Sequence, residues 1–430
     1  MKKNFIEELK WRRMLHDAMP GTEEMLQKGM AKGYIGFDPT ADSLGVGNLV
    51  QIMTLLHFQS CGHKPIALIG GATGMVGDPS GKSAERNLLS EDILRHNQAC
   101  QRQQMEKFLD FNCGENAAEF VNNYDWFKGI SFLDFIRDVG KRLTVNYMMA
   151  KDSVKNRISG EDREGMSFTE FTYQLIQGYD FYHLWKNQQV MLQMGGSDQW
   201  GNITTGTELI RRMDGGEAFA LTTPLIKKAD GTKFGKTEGG NIWLDPKRTS
   251  PYAFYQFWLN ASDEDVVNYI RIFTLKSREE IEALEAEHAQ DKGRRILQKA
   301  LAEDITVRVH SKADLELAIA ASGVLFGKAS VAEMKAMPAE VLHQVAEALP
   351  KGELALSDLD SGITILEALV KTGFFDSNGK AKRALDENSI SVNKEKVGAD
   401  RMINREDVLP GNLLFLQKGK KDYFLVQVVG

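Results

Sequence analysis

Tyr34-Ile35-Gly36-Phe37-Asp38-Pro39-Thr40-Ala41-Asp42-Ser43-Leu44-Gly45-Val46-Gly47-Asn48-Leu49 begins as an extended apolar run, stops at Asp38-Pro39-Thr40, and restarts as a helix just past a glycine-containing turn. A strand that passes to a helix in this way aims the first backbone N–H groups of the helix at whatever binds there, and the helix dipole favours an anion. The residues from Leu49 to Leu56 keep the apolar spacing of a helix lying on a sheet. Pro65-Ile66-Ala67-Leu68-Ile69-Gly70 repeats the strand signal and runs into Gly71-Ala72-Thr73-Gly74. Strand, turn, helix, strand, turn predicts a parallel α/β sheet, in which ligands collect at the carboxyl ends of the strands.

Working outward, the chain of 430 residues is too long for one ordinary core, so two or three domains are expected. Apolar content of 42% and charged content of 26% are those of an ordinary globular protein. A net charge of −6 argues against a surface that is basic throughout, while leaving room for a local basic patch. Residues 361–430 carry eleven Lys/Arg against nine Asp/Glu, a balance of +2 where the rest of the chain carries −8. That sign suits an RNA-contacting tail on an acidic body. Cys61, Cys100 and Cys113 form no Cys-x-x-Cys pair, so neither a disulfide framework nor a zinc site is expected, and a reducing cytoplasm is the simplest setting. The first eight residues turn charged before a signal peptide could form, and no window approaches eighteen apolar residues, so no membrane span is expected.

The pattern divides the chain as follows. Residues 1–226 read as the sheet-bearing domain with a helical insertion: helices over 1–30 broken at Pro20-Gly21, and strands near 31–37, 65–70, 119–123 and 189–194. Residues 227–241 form a polar loop with four glycines (Gly231, Gly235, Gly239 and Gly240), either mobile or held by a ligand. Residues 250–349 read as helical and 350–362 as a linker. Residues 363–430 turn from helices to short strands, a small α+β domain.

Two familiar nucleotide motifs fail. Gly77-Asp78-Pro79-Ser80-Gly81-Lys82-Ser83 has three residues where a P-loop needs four, and Ala72 interrupts any Gly-x-Gly-x-x-Gly fingerprint. In Lys227-Lys228-Ala229-Asp230-Gly231-Thr232-Lys233-Phe234-Gly235-Lys236-Thr237, the lysines at 233 and 236 can both point at a polyphosphate, although a solvated basic loop has the same composition. Tyr173, Gln177 and Asp180 fall on one helical face, which is either a binding stripe or a solvated one. Asp198, in Gly195-Gly196-Ser197-Asp198-Gln199-Trp200, is by itself an ordinary turn former. Asn123, Asp125 and Trp126 are equally at home in a turn.

Taken together and in order, these blocks resemble one family. Gly45-Val46-Gly47-Asn48 stands where class I aminoacyl-tRNA synthetases carry His-Ile-Gly-His, and Lys233-Phe234-Gly235-Lys236-Thr237 resembles their Lys-Met-Ser-Lys-Ser signature. Gly36-Phe37-Asp38-Pro39-Thr40, Tyr173-x-x-x-Gln177-x-x-Asp180 and Gly195 to Asn202 are similar to blocks of the bacterial tyrosyl-tRNA synthetases, and Asn123, Asp125 and Trp126 also match. Ala381-Lys382-Arg383-Ala384 followed by Ile390-Ser391-Val392-Asn393 resembles an S4-type RNA-binding domain. The resemblance implies a Rossmann-like parallel-sheet catalytic domain, a helical anticodon-binding domain and a small α+β S4-like domain.

It also implies tyrosine activation by ATP, carried with Mg²⁺, followed by transfer to the 3′ end of a tRNA, in a cytoplasmic homodimer with no dedicated protein metal site. Tyr34 and Asp180 would read the substrate phenol, and Asp78, Tyr173 and Gln177 its ammonium group. Gly36, Asp38, Gly47, Asn48, Gly196, Asp198 and Gln199 would lie along the adenylate. Thr40, Lys82, Arg86, Lys233 and Lys236 would meet the phosphates, and Lys382 and Arg383 the RNA. One departure matters: the family's γ-phosphate histidine is replaced by Gly45, which offers no side-chain donor, whereas the Asn48 amide still donates. Gly45 is expected to serve as a flexible residue at the helix start. The departure leaves a second reading, a weakened or inactive synthetase-like RNA-binding protein. A P-loop NTPase is disfavoured by spacing, and a tryptophan-specific relative by the Tyr34–Asp180 pair.

Overall fold

The structure, a computed structural model, describes residues 3–80, 89–159, 166–237, 240–326, 329–347, 349–419 and 422–430. It forms two compact units, Met1–Asp245 with Ala261–Leu301, and Pro246–Asn260 with Ala302–Gly430.

The first unit is built on a six-stranded sheet of β1 (Asp17–Ala18), β2 (Lys32–Phe37), β3 (Lys64–Ile69), β4 (Glu119–Asn122), β5 (Val190–Gly196) and β6 (Phe219–Thr223), in the order β1-β6-β5-β2-β3-β4. Every pairing is parallel except that of the short edge strand β1 with β6. The chain builds outward from β2 through β3 and β4, then returns to the other edge of β2 with β5 and β6. That reversal opens a crevice at the carboxyl ends of β2 and β5. The inner strands are continuous apolar runs because helices cover both faces of such a sheet. The Val46–Ser60 helix links β2 to β3, with Leu49, Ile52, Met53, Leu55 and Phe58 fully buried. This is the Rossmann-like parallel sheet that the opening stretch predicts.

The Phe168–Gln188 helix carries the Tyr173–Asp180 stripe. Its start is fixed by a reciprocal cap: Ser167 Oγ accepts from the Glu170 N–H at 3.2 Å, and Glu170 Oε2 accepts from the Ser167 N–H at 3.3 Å. It crosses the Trp200–Asp214 helix where two glycines meet. A Cβ on Gly178 would stand 3.0 Å from Leu209, and one on Gly206 would stand 2.8 Å from Phe181. Only hydrogen fits at that crossing, and the tight approach fixes the stripe above the sheet.

In the second unit, five strands pair in the order Glu395–Lys396, Ile390–Val392, Leu413–Lys418, Asp422–Val429, Lys351–Ala355. The last pairing is parallel. The stretch 350–362, expected to be a linker, therefore holds a strand and the Leu356–Ser361 helix. Pro350 and Gly352 masked the signal, but Leu354 and Leu359 are buried in one core with Ile365, Leu369, Ile390 and Val426. A second difference concerns residues 261–301, expected within the helical domain at 250–349. They group with the sheet-bearing unit.

Candidate active site

A cleft of about 310 Å³ lies at the carboxyl ends of β2 and β5. It is lined by thirteen of the residues singled out from sequence: Tyr34, Gly36, Asp38, Thr40, Gly47, Asn48, Asp78, Tyr173, Gln177, Asp180, Gly196, Asp198 and Gln199. Gln51, Thr73, Gln193 and Leu225 line it as well, and sequence reasoning missed them. Thr73 had a signal, since it follows β3 through Gly70-Gly71-Ala72 as Asp38 follows β2. Gln51 lay within an apolar helix pattern and carried none.

The deep end is a carboxylate among aromatic rings. Asp180 is 1% exposed, with Oδ2 accepting from Asn123 Nδ2 at 3.0 Å and Oδ1 from Trp126 Nε1 at 2.9 Å. Burial pushes its pKa up to about 8, against the two hydrogen bonds, which lower it. The Tyr34 hydroxyl is buried with no hydrogen-bond partner among the described residues. Burial first, and then the Asp180 charge, push that phenol well above its usual pKa. Asn123 and Trp126, left undecided by sequence, are thus the donors that hold Asp180 in place.

From Asn123 a hydrogen-bonded chain runs toward the mouth. Asn123 Nδ2 also donates to Thr73 Oγ1 at 3.1 Å, and its Oδ1 accepts from the Ala72 N–H at 2.7 Å. Thr73 donates to Asp38 Oδ1 at 2.8 Å, and the Tyr173 hydroxyl donates to Asp38 Oδ2 at 3.0 Å. Such a buried and satisfied network fixes each member more firmly than its separate bonds would. Asp78 stands on the other wall, accepting from Gln199 Nε2 at 2.8 Å and from the Ser80 N–H at 2.9 Å. Gln199, expected along the adenylate, spends its amide on Asp78 and on Asp198. At Gly196 a Cβ would stand 2.5 Å from Asp198 Oδ1 and 3.3 Å from Leu225, so the backbone there lies open to a close approach.

At the mouth, two expectations need correction. The Val46–Ser60 helix was expected to present free N–H groups, yet the Val46 N–H donates to the Ile242 carbonyl at 3.0 Å and the Asn48 N–H to that of Gly45 at 2.9 Å. Gly45 was expected to be flexible, yet its φ of −96° and ψ of 170° suit any residue. Its role is spatial: a Cβ would stand 3.2 Å from the Ile242 oxygen. Asn48 Oδ1 accepts from the Gly45 N–H at 3.0 Å, which leaves the Asn48 amide nitrogen to donate. Lys233 and Lys236 sit on a hairpin leading to that same Ile242 segment: Lys227 bridges Lys233, Lys236–Thr237 pairs with Gly240–Asn241, and the Ile242 N–H donates to the Gly235 carbonyl at 3.0 Å. Lys82 and Arg86 lie outside the described residues. Lys382 and Arg383 stand exposed on the Asn378–Asp386 helix of the second unit.

Comparison with known proteins accords with this geometry. A family model described as tRNA synthetases class I (W and Y) matches residues 27–327, and one described as the tyrosine–tRNA ligase SYY-like C-terminal domain matches residues 342–426. A tyrosine–tRNA ligase of Flavobacterium johnsoniae is 60% identical over 99% of this chain and 100% of its own length. One of Bacteroides thetaiotaomicron is 59% identical over 98% and 99%. Among solved structures, a C-terminally truncated mitochondrial tyrosyl-tRNA synthetase of Aspergillus nidulans is 31% identical, covering 74% of this chain and 92% of that one with a TM-score of 0.66. The tyrosyl-tRNA synthetase of Archaeoglobus fulgidus shares the fold at 17% identity, with a TM-score of 0.51 over 73% and 99% of the two chains. The reading as a non-catalytic RNA-binding protein gains nothing from these relatives. Matched across its whole length and carrying the cleft described above, the chain belongs to the bacterial tyrosine–tRNA ligases, a family of class I aminoacyl-tRNA synthetases.

Proposed function

We propose that the cleft activates L-tyrosine with ATP and that each lining residue takes the role its neighbours allow. The reaction is that of the family: the tyrosine carboxylate attacks the ATP α-phosphate, pyrophosphate leaves, and the tyrosyl group passes to the 3′ end of a tRNA. Neither step uses a covalent enzyme intermediate, so catalysis is positioning plus stabilisation of phosphate charge.

The observation that carries the reading is the deep end of the cleft. A buried carboxylate with two donors already on it, facing a buried phenol with no partner, is complementary to a hydroxyl that both donates and accepts. The substrate phenol donates to Asp180 and accepts from Tyr34. Phenylalanine leaves the Tyr34 hydroxyl unpaired and Asp180 without its third donor, which is what makes such a site selective. One turn or more along the same helix, Tyr173 and Gln177 face the ammonium group together with Asp78. Because the Tyr173 proton is committed to Asp38, its oxygen lone pairs are left to accept from that ammonium. Asp198 and the bare Gly196 backbone receive the ribose, while Gly36, Asp38, Gly47, Asn48 and Gln199 flank the adenylate. Thr40, Lys82, Arg86, Lys233 and Lys236 meet the phosphates, on which Mg²⁺ arrives with ATP.

Beyond the cleft, the helical segment within 250–349 serves the anticodon side, and the C-terminal domain grips RNA through Lys382 and Arg383. A homodimer is supported by apolar side chains exposed on three neighbouring stretches of sequence: Phe132, Leu133 and Ile136, then Val145 and Met149, then Phe168. Large apolar groups that gather into one patch mark a protein interaction surface. Among the described residues no helix is long and apolar enough to cross a membrane. A cytoplasmic setting completes the reading. The test is tyrosine-dependent ATP–pyrophosphate exchange in the parent chain and in Tyr34→Phe and Asp180→Asn. We expect exchange in the parent, a modest loss in the first variant and a severe one in the second. No exchange in the parent refutes the reading.

A further inference from the structure

The segment Lys233-Phe234-Gly235-Lys236 is held between two helices of the first unit. On one side Gly235, at φ +78°, lies on the start of the Val46–Ser60 helix, where a Cβ would stand 2.8 Å from Val46 Cγ2. On the other side the Phe234 ring stacks on Phe273, with centroids 5.5 Å apart and planes 12° apart, and meets Tyr269 at 5.0 Å. Tyr269 and Phe273 belong to the Asp263–Phe273 helix, and Asp265 precedes them at the same spacing, so the three share one face. Asp265 Oδ1 accepts from the Ala229 N–H at 2.8 Å. Its Oδ2 accepts from the Ser262 hydroxyl at 2.7 Å, and its own N–H donates back to Ser262 Oγ at 3.0 Å. A capped carboxylate thus holds the loop beside its turn at Ala229, and two rings hold its returning arm at Phe234.

The helix is anchored from behind. Arg12, 2% exposed, donates through Nη1 to the carbonyls of Arg271 at 2.6 Å and Thr274 at 2.9 Å, and through Nη2 to that of Lys276 at 3.0 Å. Its Nε donates to Glu8 at 2.6 Å. Those carbonyls lie at and just beyond the carboxyl end of the helix, where acceptors lose their partners within the helix. The buried guanidinium therefore ties the N-terminal Phe5–Trp11 helix to the far end of Asp263–Phe273.

Building on the proposal that Lys233 and Lys236 neutralise phosphate charge during activation, we propose that the Asp263–Phe273 helix is the seat of the lysine loop. Asp265, Tyr269 and Phe273 are positioning residues for both ammonium groups, and Arg12 holds the seat itself. None of the four lines the cleft, so their effect runs through the loop backbone. Long lysine side chains reach a transition state only from a correctly placed backbone, and a displacement of about 1 Å costs on the order of 100-fold in rate.

The test uses the full chain with Phe234→Ala, Phe273→Ala, the pair together, and Phe273→Leu as the conservative replacement. Single-turnover formation of tyrosyl-adenylate is expected to slow by about 10- to 100-fold in each alanine variant. The tyrosine Kd and the rate of transfer from preformed adenylate to tRNA should stay within about twofold. The double variant should be little slower than either single one, because both changes break the same contact. Phe273→Leu should recover most of the rate. Unchanged activation, fully multiplicative losses, or equal losses in tyrosine binding and transfer overturn the proposal. Hydrogen exchange over residues 227–237 reads the seat without chemistry: Phe234→Ala should speed it at least about tenfold relative to the sheet strands, and no change also overturns the seat. A parent chain that forms no adenylate would refute the activity reading, and the exchange measurement would still decide the seat.

Discussion

At position 45 a contact competes with a charge. An imidazole there adds one donor to the phosphates, and a transition-state donor at such sites is worth about 2.7–4 kcal/mol. Against this, a Cβ 3.2 Å from the Ile242 oxygen pushes on a carbonyl that also accepts from Val46, at a cost near the low end of overpacking, about 1 kcal/mol. The charge wins. Gly45→His is expected to raise the rate of adenylate formation on the order of 100- to 1000-fold while lowering the Tm by about 1–3 °C. Gly45→Ala should show the lower Tm alone, and a histidine variant without rate gain would mean that other groups already hold the γ-phosphate. Asp180 poses the opposite exchange of stability for function. Its folded pKa of about 8 lies above the ordinary carboxylate value, so the fold takes up a proton on forming. Its contribution to stability is full below about pH 4 and fades as the pH rises through 8. Asp180→Asn should therefore lose less Tm between pH 6 and 9 than the parent does. On the proposed reading the substrate phenol donates to the ionised carboxylate, so the parent's tyrosine Kd should tighten by more than about tenfold from pH 6 to 8 and level off above about pH 9. A Kd independent of pH would place the proton elsewhere.

At the scale of elements, β2, β3, β5 and the Val46–Ser60 helix were legible because each is apolar and bounded by Gly or Pro, whereas β6 went unread. The strand at Lys351–Ala355 was not, since Gly352 and the preceding proline imitate a linker and its partner lies some seventy residues away. The cleft followed the same division. Residues in ordered blocks were legible, whereas Thr73 and Asn123 became functional only once hydrogen bonds tied them to Asp38 and Asp180. Asp265, Tyr269 and Phe273 read from sequence as part of an ordinary amphipathic helix, because nothing local reports what packs on one of its faces. Residues 88–150 read as mostly helical, but the pattern gave no sign that Phe132, Leu133, Ile136, Val145 and Met149 on the helices Phe132–Asp138 and Val145–Met149 stand exposed. If these faces meet a second copy of the chain, a charge on them splits the pair. Phe132→Asp with Leu133→Asp is expected to sediment at the monomer mass under conditions where the parent runs as a dimer. The same change should barely alter the Tm of the monomer, because Phe132 is 67% and Leu133 77% exposed. An undiminished dimer would direct the search to another face.

For the whole molecule, the two units divide two kinds of recognition. In the proposed site, small substrates meet buried polar groups of the first unit, where a single lost partner is costly. The proposed RNA grip uses exposed cations such as Lys382 and Arg383 in the second, where each contact is modest, screened and additive. The Asn378–Asp386 helix buries Ala381, Ala384 and Leu385, so reversing charge at its two exposed positions leaves the core intact. Lys382→Glu with Arg383→Glu should therefore leave tyrosine-dependent pyrophosphate exchange within about twofold of the parent while lowering kcat/KM for tRNA charging by at least about tenfold. Because released counterions drive such binding, the slope of log(kcat/KM) for tRNA against log salt should flatten by roughly one to two units, and the slope for exchange should not. Equal losses in both reactions would mean that the charge reversal reaches the cleft through the fold. Charging at the parent's rate would show that the tRNA is gripped elsewhere on the chain.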